Sequence, residues 1–458
     1  VSTYVEFLAR KAQLAHAGGF APGPLPDHLF DFQATLVDWA VRQGRGALFA
    51  DCGLGKSPME LAWADQVHRH TGRPVLLLTP LAVGFQMVAE AAKFGHEAAL
   101  SRDGRVAAPI TVTNYEQLLA GKFDPDDYAG VICDESSILK SFDGATKAAV
   151  TEFMRRIPYR LLGTATAAPN DWTEVGTSSE ALGGLGHMDM LSRFFTNKLR
   201  SVSSRGRGFQ GEQVEWRLKG WAADPFWRWV ASWARAMRRP SDLGFSDDGF
   251  DLPALDVREH VVTPRETAPG VLFDVPAVGL RAEREENRRT LTDRCETAAA
   301  LLADADRAVA WCHLNDESTL LTRLLDGAVE VSGADSPEVK EERLAAFTRG
   351  EIRVLVTKPS IGAWGLNWQH AHRSVYFASH SYEQWYQAVR RMWRFGQTQP
   401  VQVDVIAATG TARTLANLQR KAEQADAMFT ALVAHMNDAM RVSNDAPEHE
   451  MELPAWAS

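Results

Sequence analysis

The segment Ala50-Asp51-Cys52-Gly53-Leu54-Gly55-Lys56-Ser57 gathers the residue types that a phosphate chain needs. Phosphate oxygens need many donors and a close backbone, and Gly53 and Gly55 permit that approach because they carry no Cβ. An apolar run precedes the segment and a helical pattern follows it. The loop therefore opens a helix whose free N–H groups and dipole face an anion. Lys56 supplies a point charge for the terminal phosphates of a nucleotide, and Ser57 a hydroxyl for Mg2+. The first position is Ala where the strict form of such a loop has Gly.

Two further groups complete a hydrolytic site. Asp134-Glu135 follows the apolar run Val131-Ile132-Cys133. A carboxylate at the carboxyl end of a strand beside the phosphate-loop strand is where a metal-holding acid belongs. Asp134 is expected to hold the metal, and Glu135 to act as general base on the attacking water. Positive charge is also needed where the terminal phosphate breaks away, and a second lobe can bring it on closure. Arg391 and Arg394, in Gln387-Ala388-Val389-Arg390-Arg391-Met392-Trp393-Arg394-Phe395-Gly396-Gln397, are three apart and so expected on one face of a helix.

These groups must be carried by strands. Short continuous apolar runs stand at 47–50, 75–78, 110–112, 131–133 and 161–162, and again at 308–312, 329–331, 354–356, 374–377 and 401–406. Helix-length segments separate them, which is the pattern of buried parallel strands in two doubly wound α/β lobes. Between the lobes, residues 225–237 read as a helix with Phe226, Trp229 and Trp233 at helical spacing. That spacing favours packing against the first lobe over base stacking. Residues 200–207 (RSVSSRGR) read as a flexible basic loop. The expected division is 1–175 for the first lobe, 176–255 for a helical and basic linker insertion, 256–410 for the second lobe, 411–442 for a helix and 443–458 for a loose tail.

The totals agree with a chain of more than one domain: 458 residues, 45% hydrophobic and 23% charged. The four cysteines form no CxxC pair, which argues against a zinc site or a disulfide framework. No stretch reads as a membrane span and no secretory pattern opens the chain, so a cytoplasmic protein is expected. Val1 reads as an alternative start codon, pointing to a bacterial or phage-infected cell. A net charge of −9 gives no global attraction to nucleic acid, so such binding would need a local basic cleft.

Taken in order, these segments resemble helicase superfamily 2, and within it the Swi/Snf-related DNA translocases. Phe32-Gln33 is similar to the family's adenine-reading glutamine, residues 50–57 to its first motif, and Leu76-Leu77-Leu78-Thr79-Pro80-Leu81 to the next. Thr111-Val112-Thr113-Asn114-Tyr115-Glu116 and Gly163-Thr164-Ala165-Thr166 follow. In the second half Gly362-Ala363-Trp364-Gly365-Leu366-Asn367-Trp368 and residues 387–397 match further motifs, the latter being the most specific. Arg238-Arg239 and Leu252-Pro253 resemble the stretch linking the lobes. Departures are Ser136-Ser137 after the acidic pair, Gln86 where tryptophan is common, Trp393 for a histidine and Arg390 for an acid.

The resemblance implies two tandem RecA-like doubly wound lobes with a helical insertion, ATP and Mg2+ as cofactors, and Gln33 and Gly365 beside the nucleotide. It implies nucleic acid lying across both lobes, with Thr79, Thr113 and Asn114 as candidate contacts in the first and Thr357 and Lys358 in the second. Double-stranded DNA is the expected partner, with a protein partner for targeting and no membrane. The function expected is an ATP-dependent translocase; a strand-separating DNA or RNA helicase and a nucleotide-gated DNA clamp of little turnover are the alternatives.

Overall fold

The computed structural model describes residues 17–140, 144–167, 171–203, 210–265, 279–363 and 366–444. The apolar runs of the first half become β1 (Arg45–Ala50), β2 (Val75–Thr79), β4 (Ile110–Asn114), β5 (Gly130–Asp134) and β6 (Tyr159–Gly163), with β3 (Ala98–Leu100) added at one edge. After β7 (Phe195–Ser203) and β8 (Gln210–Leu218) comes β9 (Ala234–Met237), which closes the other edge. The order is β3-β4-β2-β5-β6-β1-β9, and every pairing is parallel.

Continuous apolar strands result because both faces of this sheet are covered. Ala47, Phe49, Leu76, Leu78, Val131 and Cys133 are buried in one hydrophobic cluster. Their neighbours Leu48, Ala50, Val75, Leu77, Ile132 and Leu161 are buried in a second. The same alternation recurs in the second half, with Val309, Trp311 and Leu355 in one cluster and Ala308, Ala310 and Val354 in another.

That second half holds β10 (Leu255–Val262), β11 (Ala308–Trp311), β12 (Ala328–Val331), β13 (Val354–Thr357), β14 (Arg373–Phe377) and β15 (Val401–Ala408). They form a parallel sheet in the order β10-β15-β14-β11-β13-β12. The molecule is thus two doubly wound parallel-sheet lobes.

The insertion between the lobes carries the helices Val175–Leu182, His187–Phe194 and Ala223–Ala231. It also carries β7 and β8, paired antiparallel as a two-stranded hairpin, and it donates β9 to the first sheet. The helix expected over 225–237 therefore stops at Ala231. Beyond it the chain meets the open edge of β1, where Ala47 N donates to Trp233 O and Asp51 N to Met237 O, both at 2.9 Å. Unpaired backbone groups at a sheet edge outweigh the helical preference of so short a segment. Phe226, Trp229 and Trp233 are buried in the first-lobe core, where Phe226 meets Phe194 edge-on and Trp229 lies tilted against it.

The helix Arg413–Asn444 leaves the second lobe, where Leu415 is part of the core. It returns to the first, burying Met428, Phe429, Leu432 and Met436 there. Arg238, just after β9, pairs with Asp426 on this helix. Among the described residues no helix is long and apolar enough to cross a membrane.

Candidate functional site at the cleft between the lobes

Because the strands of a parallel sheet end on the same side, their carboxyl ends bring distant segments together. β1 runs into the loop Asp51-Cys52-Gly53-Leu54-Gly55, and the helix Lys56–Thr71 follows. Gly53 and Gly55 have φ of 92° and 74°, in the left-handed region that a Cβ disfavours. Space makes the same demand, since a Cβ on Gly53 would lie 2.7 Å from the backbone N of Phe395 in the second lobe. One on Gly55 would meet the Gln33 amide. Gln33 Nε2 donates to Leu54 O at 2.8 Å and its Oε1 accepts from Phe30 N at 3.0 Å, so this side chain braces the loop. Lys56 Nζ donates to Ala50 O at 3.1 Å, and Ser57 follows it, half-buried, on the first helical turn.

Asp134 ends β5 and is buried together with Glu135. Glu135 has φ of 53°, the one positive value at a non-glycine among the described residues, and such local strain gathers at functional sites. The strand holding these acids is not directly beside β1, as expected, because β6 lies between them: Gly163 pairs with Asp134 on one side and Leu48 on the other. The short β6 ends on glycine, so it places no side chain between the acids and the loop. It contributes Thr164 instead, whose hydroxyl donates to Glu135 Oε2 at 3.5 Å.

Burial, and then the nearby Glu135, push the Asp134 carboxyl up to about 7, with Lys56 opposing. Glu60, which sequence reasoning missed, is buried one turn beyond Lys56 and lies against Gly163. Burial, followed by the charge of Asp134, holds it well above the usual carboxylate range, and neither oxygen has a hydrogen-bond partner. Its spacing from Lys56 on the inward helix face was the signal that could have found it. Tyr115, named in the sequence only as part of the segment 111–116, sends its hydroxyl to Cys133 Sγ at 3.0 Å and to the Asp134 carbonyl.

Among the described residues no group of three or more His, Cys, Asp or Glu is arranged to hold a metal on its own. Mg2+ typically takes one or two carboxylates and completes its shell with phosphate oxygens and water. Asp134 fits such an ion, because a buried carboxyl that holds its proton to about 7 is one that a divalent cation would ionise.

From the second lobe, the helix Tyr382–Val389 leads to Arg391 and Arg394. These two do not share a regular helical face as expected. The helix ends at Val389, and a series of turns follows, closed by Gly396 at φ 88° and by Gln397, whose Nε2 donates to Gln369 O, Ala371 O and Met392 O. The turns nevertheless seat both arginines against the phosphate loop. Arg391 Nη2 lies 3.6 Å from Cys52 Sγ and 2.8 Å from Gln387 Oε1, and its Nη1 donates to Leu366 O at 3.0 Å. The Cβ of Arg394 would lie 3.3 Å from a Cβ on Gly53. Arg394 Nη1 donates to Leu366 O at 3.2 Å, while its buried Nε has no hydrogen-bond partner. Burial, then Arg391, lower its guanidinium to about 10, so it stays charged at neutral pH.

The expected nucleic-acid contacts divide. Thr79, Thr113 and Thr357 are fully buried or nearly so, and their hydroxyls donate to Thr113 O at 3.4 Å, Ser101 O at 2.8 Å and Val331 O at 2.9 Å. These three hydroxyls fasten strand ends rather than face outward, because a hydroxyl at a buried strand end bonds a neighbouring carbonyl. Asn114 Oδ1 accepts from Gln117 N at 2.9 Å and starts a helix. Lys358 reaches Asn315 Oδ1 at 2.6 Å from the end of β13 and is only half-buried. Gly365, like Arg205 and Arg207 of the basic loop, lies outside the described residues.

No family model matches the chain, and no match was found among curated proteins. Among solved structures, the chain is similar to a Sulfolobus solfataricus SWI2/SNF2 ATPase core in complex with dsDNA. The identity is 16% and the TM-score 0.42, over 86% of this chain and 90% of that one.

Proposed function

We propose that the chain is an ATP-hydrolysing motor acting on nucleic acid, and specifically a translocase on double-stranded DNA of the Swi/Snf type. The observation that carries this reading is the seating of Arg391 and Arg394 of one lobe against Cys52 and Gly53 of the other. A phosphate loop in one lobe and guanidinium groups in the other make hydrolysis depend on closure, and closure is what a motor converts into movement.

In this reading the loop N–H groups and Lys56 hold the phosphate chain. Ser57 and Asp134 would hold Mg2+, which would supply neutralising charge for the phosphates. Glu135 takes the proton of the attacking water, and Thr164 fixes the orientation of that carboxylate. Arg394, with its unpartnered Nε, meets the charge that develops on the departing phosphate, while Arg391 holds the turn in place through Leu366 and Gln387. The choice of duplex DNA rests on the likeness of residues 387–397 to the Swi/Snf motif.

ATP turnover measured with duplex DNA, single-stranded DNA and RNA tests this. Duplex DNA is expected to stimulate most, with binding that weakens steeply as salt rises; turnover indifferent to every polynucleotide defeats the reading. The hairpin β7–β8, which stands outside both sheets, favours strand separation as a second reading. Unwinding of a forked duplex decides between the two.

A further inference from the structure

Asp51 opens the phosphate loop, and it is 2% exposed. Its Oδ1 accepts from Cys52 N at 2.6 Å, capping the first turn of the loop. The same oxygen accepts from the Tyr386 hydroxyl, and Oδ2 accepts from Nη2 of Arg390. Two of the three donors on this carboxylate therefore come from the second lobe.

Arg390 is itself buried, 6% exposed, with its guanidinium 4.5 Å from the ring centroid of Trp393 and 5.5 Å from that of Tyr386. Its Nη1 donates to Trp393 O at 3.1 Å, and Trp393 Nε1 donates in turn to Pro253 O at 2.7 Å, in the segment that joins the lobes. A second pair crosses the cleft at the start of the helix Tyr382–Val389, where Glu383, 1% exposed, meets the half-buried Lys140 just beyond Asp134 and Glu135. The two pairs have opposite polarity, acid from the second lobe at one end and base at the other, so they admit only one docking register.

A carboxylate and a guanidinium that are both buried are costly apart and complementary together, so the Arg390–Asp51 pair belongs to the docked lobes. The carboxylate that receives Arg390 also holds the first N–H of the loop. On the ATP reading of the site, on which this inference rests, we propose that Arg390 and Tyr386 are positioning residues of the second lobe: acting through Asp51, they set the phosphate loop for hydrolysis when the cleft closes. This is distinct from the part given to Arg391 and Arg394, which reach the loop at Cys52 and Gly53. It also gives a use to Arg390, which stands where the resembled family has an acid.

Steady-state ATP turnover of the full chain on duplex DNA is the test. Arg390→Met and Asp51→Asn are each expected to lower kcat about tenfold and leave KM for ATP within about threefold. ATP binds the first lobe in the open cleft, whereas the contact exists only in the closed one. The double variant is expected to lose no more than the worse single variant, because both substitutions remove one linkage. Multiplicative losses overturn the proposal, and so does unchanged kcat in a folded Arg390→Met. Tyr386→Phe removes one hydroxyl and is expected to cost about threefold in kcat at constant KM. If Arg390→Met does not melt cooperatively, unchanged kcat in Tyr386→Phe overturns the proposal instead. A parent chain that hydrolyses no ATP removes the reading of the site and this inference with it, whereas a working parent with insensitive variants removes the inference alone.

Discussion

The two lobes repeat one architecture and differ at the edge where their strands end. In the first, that edge gathers four buried carboxyls, Asp51, Glu60, Asp134 and Glu135, around Lys56 and a glycine loop. In the second, the corresponding edge and the turns after Val389 bring Arg390, Arg391 and Arg394 to the cleft, held by the Leu366 carbonyl, Gln387 and Asp51. Scaffold and chemistry are thus separable: similar sheets position unequal sets of charges, mostly acidic on one side and mostly basic on the other. Damage on either side of the cleft should therefore carry a different kinetic signature.

The largest effect is expected at the acidic edge. Glu135→Gln should lower kcat about a thousandfold while a fluorescent ATP analogue still binds, because the proton acceptor is lost and the phosphate cradle is not. Lys56→Ala is the counterpart that also weakens binding. Near-normal turnover in Glu135→Gln would remove Glu135 as the base. On the arginine edge, Arg394→Ala should cost about a hundredfold in kcat with ATP affinity within a few-fold. A large loss of affinity at unchanged turnover would erase the distinction between the edges.

The pH response should separate the edges further. Asp134 holds its proton up to about 7, whereas Arg394, lowered to about 10, stays charged across the neutral range. At limiting Mg2+, turnover should therefore fall as pH drops through 7, about tenfold per unit, and higher Mg2+ should move that limb to lower pH. The same carboxyl has a stability consequence. Its folded value is raised, so the unfolded chain releases this proton first, and the group lowers stability as pH rises from the ordinary carboxylate range through about 7. Asp134→Asn should then melt higher than the parent at pH 8 and no higher at pH 4. Identical melting at pH 8 would show that the carboxyl is not held this way. The smallest effect is expected away from the cleft chemistry, where Lys358→Ala should reduce the salt dependence of DNA binding by about one phosphate contact and leave ATP turnover without DNA unchanged.

The central strands of both sheets were legible in the sequence because both of their faces are buried, which makes a strand a continuous apolar run. Of the strands that escaped, three lie at edges: β3 and β9 are only 3 and 4 residues long, and β10 (LDVREHVV) is largely exposed. The other two, β7 and β8, pair only with each other, and β7 takes in residues 200–203, which had read as part of a basic loop. That residues 51–55 and Asp134-Glu135 stand at strand ends was legible because each is a local pattern after an apolar run. The Asp51–Arg390 contact was not, because its partners are 339 residues apart and neither belongs to a local motif that requires the other. The threonines at strand ends misled for a physical reason: position beside the cleft says nothing of where a hydroxyl points, and each found a carbonyl inside its own lobe.

The polypeptide passes between the lobes twice, once through residues 238–254 and again along the helix Arg413–Asn444, whose 32 residues span about 48 Å at the helical rise. A body tethered at two separate points cannot tumble; it can only swing about the line that joins them, like a door on two hinges. On the proposed motor reading, opening of the cleft is thereby steered toward a single arc, along which reclosure would return the arginines to the loop.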